Sequence, residues 1–345
     1  MILHVIDSDF VYRGRLQNFK SLRWEERYSE SGKFTLVLDD TDKNAALVKK
    51  GCYFYRTDRK TAMVAVSIVR NGERSTITIG GYTTTHILDR RIIKNLLNVT
   101  NVEAGVYKAV TDNLRGLPYV TLAPSKGLTE EAALEFENAE MVKSLSEMCK
   151  AGDLGIRMLL DNEAKTHVLE VYRGRDLSYV DGVGGVVFSS EFGNLATLTV
   201  EEDDEIFKNV AIIMGTKNDD NKTTFYREIG DATGFERREL FVKANQQKKD
   251  QTDAEYNAYL DGEGVKALQK YYSVLTFKAQ ISSGAWQRDY DLGDKVTCKS
   301  TRYGLRFNTR ITSFVEIIEA GAQSISLTLG EPTITFLQGA ILKNG

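Results

Sequence analysis

Alternation of apolar and polar positions dominates both ends of the chain. Near the start, Lys33-Phe34-Thr35-Leu36-Val37-Leu38 alternates, and a Gly51 turn leads into Cys52-Tyr53-Phe54-Tyr55. A third run spans Met63 to Val69, and a fourth, Ser75-Thr76-Ile77-Thr78-Ile79, stops at Gly80. Near the end, Thr276-Phe277-Lys278-Ala279-Gln280-Ile281 alternates, and Leu292-Gly293-Asp294 leads into Val296-Thr297-Cys298. A longer run from Leu305 to Ile318 follows, and Ser324-Ile325-Ser326-Leu327-Thr328-Leu329 stops at Gly330. Period-2 runs separated by turn residues predict antiparallel strands with one face buried. Four such runs predict a small antiparallel barrel or sandwich, and the pattern written twice predicts a duplication, read as two similar small antiparallel β-barrels at 1–95 and 276–345.

Turn chemistry supports the first of these. Asp7-Ser8-Asp9 separates the runs Ile2 to Ile6 and Phe10 to Leu16, and Asn71-Gly72 reads as a tight hairpin turn. Beyond Gly80-Gly81 the period changes. Val102, Val106, Ala109, Val110 and Leu114 recur at helical spacing, and Gly116 ends that helix. Met141, Val142, Leu145, Met148 and Cys149 predict a second helix, with Asn138 as N-cap and Gly152 as stop. A hairpin, Gly155 to Leu160 and Thr166 to Tyr172, completes a small α+β middle domain at 96–190. Strands at Val210 to Met214, Thr223 to Ile229 and Phe235 to Val242 precede a helix over 252–271, in a connecting domain at 191–275. Gly262 and Gly264 each cost that helix about 1 kcal/mol relative to alanine and mark a break point. The predicted class is α+β, mostly β.

Composition narrows the function. With 45 basic against 48 acidic residues, the chain lacks the cation excess that grips duplex nucleic acid. DNA passing through a pore is compatible with that balance. Cys52, Cys149 and Cys298 are too dispersed for a disulfide framework or a zinc site and read as reduced core residues. The apolar start, Met1 to Ile6, is too short for a signal peptide, and no run approaches the roughly 18 apolar residues of a membrane span. Synthesis in a reducing cytoplasm, without a cleaved export signal, is the expectation.

Candidate chemistry is sparse. His4, His86 and His167 have no ligand-spaced partner, and no phosphate loop or nucleophile elbow occurs. Asp181-Gly182-Val183-Gly184-Gly185 reads as a turn. Glu201-Glu202-Asp203-Asp204-Glu205 reads as a solvated loop, the alternative being a carboxylate source for glycan hydrolysis. Trp24 and Trp286 read as core packing or as a sugar platform. Arg90-Arg91 is either a solvated pair or an ion-pair anchor at a seam. No enzyme, metal or cofactor is expected.

The segment Leu22-Arg23-Trp24-Glu25-Glu26-Arg27-Tyr28 with Gly32-Lys33-Phe34-Thr35-Leu36 resembles the opening of phage tail hub proteins. Gly80-Gly81-Tyr82 leading to Ile87-Leu88-Asp89-Arg90-Arg91-Ile92-Ile93 is similar to that family's exit from its first barrel. Phe188-Ser189 with Gly193-Asn194-Leu195, then Asn209 to Gly215, resembles a later block. The resemblance is to the N-terminal hub part of siphophage tail-associated lysins and to the central hub of contractile baseplates. It implies tail-tube-like barrels and a homotrimer whose six barrels match a sixfold tube. A hexameric distal tail or tail-tube protein, the tape-measure C-terminus and tip or receptor-binding proteins are the implied partners. DNA is met only in transit. The implied place is the virion tail, assembled in the bacterial host cytoplasm. The chain ends at Gly345, just past the second barrel, so the expectation is a structural hub without lysin activity. The alternative is a cell-wall glycan hydrolase or glycan-binding tail-tip protein. Trp24, Arg27, Tyr28, Gly32, Phe34, Gly80, Arg90, Arg91, Gly193, Asn194, Asn209 and Gly293 are the structural and interface candidates.

Overall fold

The computed structural model describes residues 1–179, 184–192, 194–217, 223–249, 251–268, 270–271, 274–281, 286–302, 304–319 and 321–330. These divide into a larger unit, Met1–Leu198 with Lys278–Leu329, and a smaller one built on Thr199–Phe277. The larger unit begins with β1 (Leu3–Ile6), β2 (Tyr12–Leu16), β3 (Ser21–Arg27), β4 (Lys33–Asp39), the short helix α1 (Asp42–Leu47), β5 (Tyr53–Tyr55), β6 (Ala62–Asn71) and β7 (Thr76–Thr83). The Asp7 carboxylate accepts from the N–H groups of Asp9 and Val11, as the turn reading expects. The Asn71-Gly72 reading needs correction. Asn71 still pairs with Thr76, so the loop holds four residues, and the positive φ falls on Ser75. The Asn71 side chain instead accepts from the Arg74 N–H.

A 3-10 helix, Thr84–Arg90, leads into the middle segment. There lie β8 (Ile92–Ile93), β9 (Leu97–Asn101), α2 (Val102–Asn113), β10 (Val120–Leu122), β11 (Glu131–Phe136), β12 (Ala139–Glu140), α3 (Met141–Ala151), β13 (Gly155–Asp161) and β14 (Thr166–Tyr172). Both helices fall where the spacing placed them. Asn101 caps α2 by accepting from the Ala104 N–H. Asn138 is no cap; it sits in a left-handed turn, and Glu140 occupies the N-cap position of α3. Val106 and Val110 of α2, Leu145 and Met148 of α3, and Ile156 and Leu169 of the β13–β14 hairpin share one core. Ile6, Tyr53 and Val64 of the first strands belong to the same core.

Next come β15 (Val187–Ser189) and β16 (Leu195–Asp203), then the smaller unit's β17 (Val210–Lys217), β18 (Thr223–Ile229), β19 (Glu239–Lys243) and α4 (Asp253–Leu268). Its sheet runs β18-β17-β19, with Ala211 and Ile213 packed against Tyr256 and Leu260 of α4. The predicted break in α4 does not occur. A Cβ on Gly264 would lie 2.7 Å from Ile213 Cδ1, so the glycine lets helix and sheet approach.

The larger unit closes with β20 (Val274–Ile281), β21 (Lys295–Ser300), β22 (Leu305–Glu319) and β23 (Ala322–Leu329). The order β3-β4-β7-β6-β5 near the start recurs as β16-β20-β23-β22-β21. Local detail repeats with it. β6 bulges between Ala65 and Ser67 against β7, and β22 bulges between Ile311 and Ser313 against β23. Gly51 N–H donates to Ala65 O and Gly293 N–H to Ile311 O, both at 2.8 Å. Both glycines have positive φ, +83° and +92°.

The expected closed barrels are not present: among the described residues no sheet closes on itself. The strands instead form an open path, β16-β20-β23-β22-β3-β4-β7-β6-β5-β1-β2, with β21 and β15 branching from β22. The physical reason lies at β3. Its free edge pairs with β22 rather than with β2, so the first sheet opens to join the second.

Candidate functional site

The β3–β22 seam joins the two repeated strand sets. Seven antiparallel pairs run from Arg27↔Ser313 to Ser21↔Glu319, and the Tyr28 N–H extends the ladder to the Thr312 carbonyl at 2.9 Å. Opposite Trp24 stands Glu316, only 1% exposed. A buried carboxylate is costly unless paired and hydrogen-bonded. Here the side chains of Arg56, Arg59 and Gln323 all donate to it. Arg56, itself 4% exposed, also grips Asp58. Burial works against the Arg56 charge, but the hydrogen bonds to Asp58 and Glu316 outweigh it and hold its pKa above the ordinary value. Arg59 lies 4.3 Å over the Phe314 ring and Arg56 5.7 Å over Trp24. This network fixes register, because a one-residue slip would strand Glu316 away from its donors.

Tyr28, at the end of β3, ties the seam to the middle segment. Its carbonyl accepts from the Ile156 N–H at 2.8 Å, and its hydroxyl accepts from the Gly174 N–H at 3.2 Å. The same hydroxyl lies 3.3 Å from the carbonyls of both Asp153 and Tyr172. Arg310 of β22 stacks 4.9 Å from the Tyr28 ring while gripping Asp153 and the Gly293 carbonyl. Gly293 is dictated twice over: its φ is left-handed, and a Cβ would enter the Tyr28 ring.

The other sequence candidates scatter around this centre. Trp24 and Phe34 are cross-strand partners, both buried, with the Trp24 indole N–H on Glu26 at 2.9 Å. Arg27 bridges Glu25 and Glu30. A Cβ on Gly32 would overlap the Glu25 carbonyl, and one on Gly80 would meet Ser67 Oγ at 2.6 Å. Among the described residues Arg91 meets carbonyl oxygens rather than a carboxylate. Its guanidinium donates to the carbonyls of Leu114 and Arg90, helping to cap the end of α2, where a cation is favoured. Arg90 is exposed. Asn194 closes the turn after β15, accepting from Ser189 and donating to Val187. Asn209 clamps β17 to the segment before β19 through Arg238 and Glu236. Gly193 lies outside the described residues, as do Asp181 to Val183 of the glycine-rich turn.

The alternatives fare poorly. Trp24 is fully buried and Trp286 is 8% exposed, stacked 4.4 Å from Phe314, so neither offers a ring face to a sugar. Of the acidic run, 201–203 end β16, Asp204 pairs with Arg238 and the Asp203 carboxylate accepts from the Glu205 N–H. All three cysteines are buried, and burial pushes the Cys149 and Cys298 thiols up to about 12, which makes them poor nucleophiles.

Arg56, Arg59 and Glu316 were not legible as a set. The available signal was Glu316 itself, a charge inside the apolar run Phe314 to Ile318.

Three solved structures share the fold at full length. The tail protein from Neisseria meningitidis MC58 matches with TM-score 0.61 and 12% identity, covering 97% of each chain. The 43 kDa tail protein of prophage MuSo2 from Shewanella oneidensis matches at 0.59 and 13%, covering 96% of this chain and 98% of its own. Prophage tail protein gp18 from Listeria monocytogenes EGD-e matches at 0.52 and 12%, covering 99% of each. No curated protein sequence matches. A family model matches residues 2–331, nearly the whole length, and by that match the chain belongs to the Siphovirus ReqiPepy6 Gp37-like protein family.

Proposed function

We propose that this protein is the structural hub of a phage or phage-like tail, a homotrimeric ring with pseudo-sixfold symmetry that closes the tail tube and connects it to the tip. The observation that carries the reading is the repeated strand order, with its matching bulges and glycine turns, joined through the β3–β22 seam. A chain that presents two equivalent modules offers six from three copies, and a heterologous contact between modules closes a ring when the rotation fits. Full-length likeness to proteins titled as tail proteins supports the same assignment. The modules we assign are 1–95 and 276–345, with β16 contributing to the second. The domains we assign between them are 96–190 and 191–275. Its neighbours would be a hexameric distal tail or tube protein above, the tape-measure C-terminus within and tip proteins below. The near-balance of charge suits a lumen that lets DNA pass without holding it.

Light scattering on the purified protein tests this. The expected mass is three times the 38.7 kDa chain, and a strict monomer that stays monomeric with its tail-tube partner contradicts the reading.

A further inference from the structure

The seam inside the chain has a counterpart that the chain leaves open. β22 is long enough to use one edge twice: Lys295–Ser300 of β21 pairs with its first part, and β3 pairs with Ser313–Glu319 beyond the bulge. β6 is built the same way. β5 pairs with Ala62–Val64, and the bulge follows at Val66. Beyond that bulge, among the described residues, no strand takes the edge from Val66 to Asn71. The shared bulge and turn hydrogen bonds set the correspondence: Ala65 matches Ile311, Val66 matches Thr312, and Arg70 matches Glu316. Val66 and Val69 are exposed on this stretch, Val69 at 60%. An unpaired edge carrying apolar side chains invites pairing.

The partner follows from the same correspondence. The strand that fills the β22 edge is β3, and in the repeated order the place of β3 is held by β16. Among the described residues β16 ends the hydrogen-bonded path, with β20 as its one neighbour. Seven strand-to-strand steps separate β16 from β6 along that path, about 34 Å along the sheet at about 4.8 Å per step, and the path does not close among the described residues. A single chain does not satisfy both. We propose that the β6 edge, Val66–Asn71, takes β16 of a second copy of this chain as an antiparallel neighbour, repeating between copies the joint that β3 and β22 make within one. This rests on the hub reading and names the contact that closes its ring.

Counting by twos from Thr312, whose carbonyl accepts from Tyr28, the residues that turn backbone groups to β3 are Phe314 and Glu316. Ile68 and Arg70 hold the matching places and turn their N–H groups to the open edge. Arg70→Pro removes one of those donors, leaves the β6–β7 ladder whole and gives up only an exposed bridge to Asp40. Light scattering at equal concentration is expected to show a trimer for the wild type and single chains for Arg70→Pro, with unchanged circular dichroism. Hydrogen exchange on the wild-type assembly provides a readout that needs no variant. The amides of Ile68 and Arg70 are expected to exchange at least tenfold more slowly than in the dissociated chain. A trimer that survives Arg70→Pro, or fast exchange at both amides within a trimer, overturns this inference and leaves the hub reading standing. A wild type that stays monomeric even with its tail-tube partner overturns both.

Discussion

Glu316 shows how a single buried charge can organise a joint. Removing one member of a buried ion-paired set leaves the others uncompensated, at a cost of about 3–5 kcal/mol. Glu316→Ala is therefore expected to lower the urea midpoint of the larger unit strongly, while Glu316→Leu combined with Arg56→Met and Arg59→Met, which removes both buried guanidinium partners with it, recovers most of the loss. His167 makes a second residue-scale case. It is 1% exposed, its ring nitrogens have no hydrogen-bond partner among the described residues, and it lies among Phe10 and Tyr53, so burial pushes its pKa down to about 4. The unfolded chain takes up this proton near 6.5 and the folded chain only near 4. Stability from this residue is thus complete above pH 6.5 and is lost as pH falls toward 4, by about 3 kcal/mol. The thermal midpoint is expected to fall between pH 7 and pH 4.5, and to fall less in His167→Phe. Neither residue announced its setting in the sequence. Glu316 stood out only as a charge in an apolar strand, and His167 only as a lone histidine, because both environments are built by segments far away in the chain.

Elements were more legible than their partnerships. Alternation in Thr76-Ile77-Thr78-Ile79 and Ser324-Ile325-Ser326-Leu327 marks the buried side chains of β7 and β23 correctly. Helical spacing located α2 and α3 to within a residue or two. What alternation does not encode is which edge meets which. A strand with one buried face has the same pattern whether it closes a barrel or joins a second sheet, which is why closed barrels were expected and an open path was found. Glycine reading failed in α4 for a related reason: propensity counts the lost Cβ, and packing decides its sign. Gly262 faces open space, while Gly264 is pressed against Ile213 and Ile229. Gly262→Ala is expected to stabilise the smaller unit by about 0.5–1 kcal/mol, whereas Gly264→Leu destabilises it by about 1–3 kcal/mol through overpacking. Hydrogen exchange of the α4 amides, Asp253–Leu268, as denaturant rises separates the two outcomes.

At the scale of the whole molecule, an internal repeat bears on the proposed assembly. The repeat itself could be read from the sequence, because turn glycines and period-2 runs recur in order. The seam could not, since β3 and β22 lie at opposite ends of the chain. Under the proposed hub role the seam gives the repeat a purpose: the joint made within a chain would recur between chains, and alternate use of the two would build the ring. End-on electron microscopy of the isolated assembly tests this most directly. The account predicts a closed ring of six similar lobes around a channel, built from three chains. Particles with unrelated lobes, or a ring of any other chain number, would contradict it.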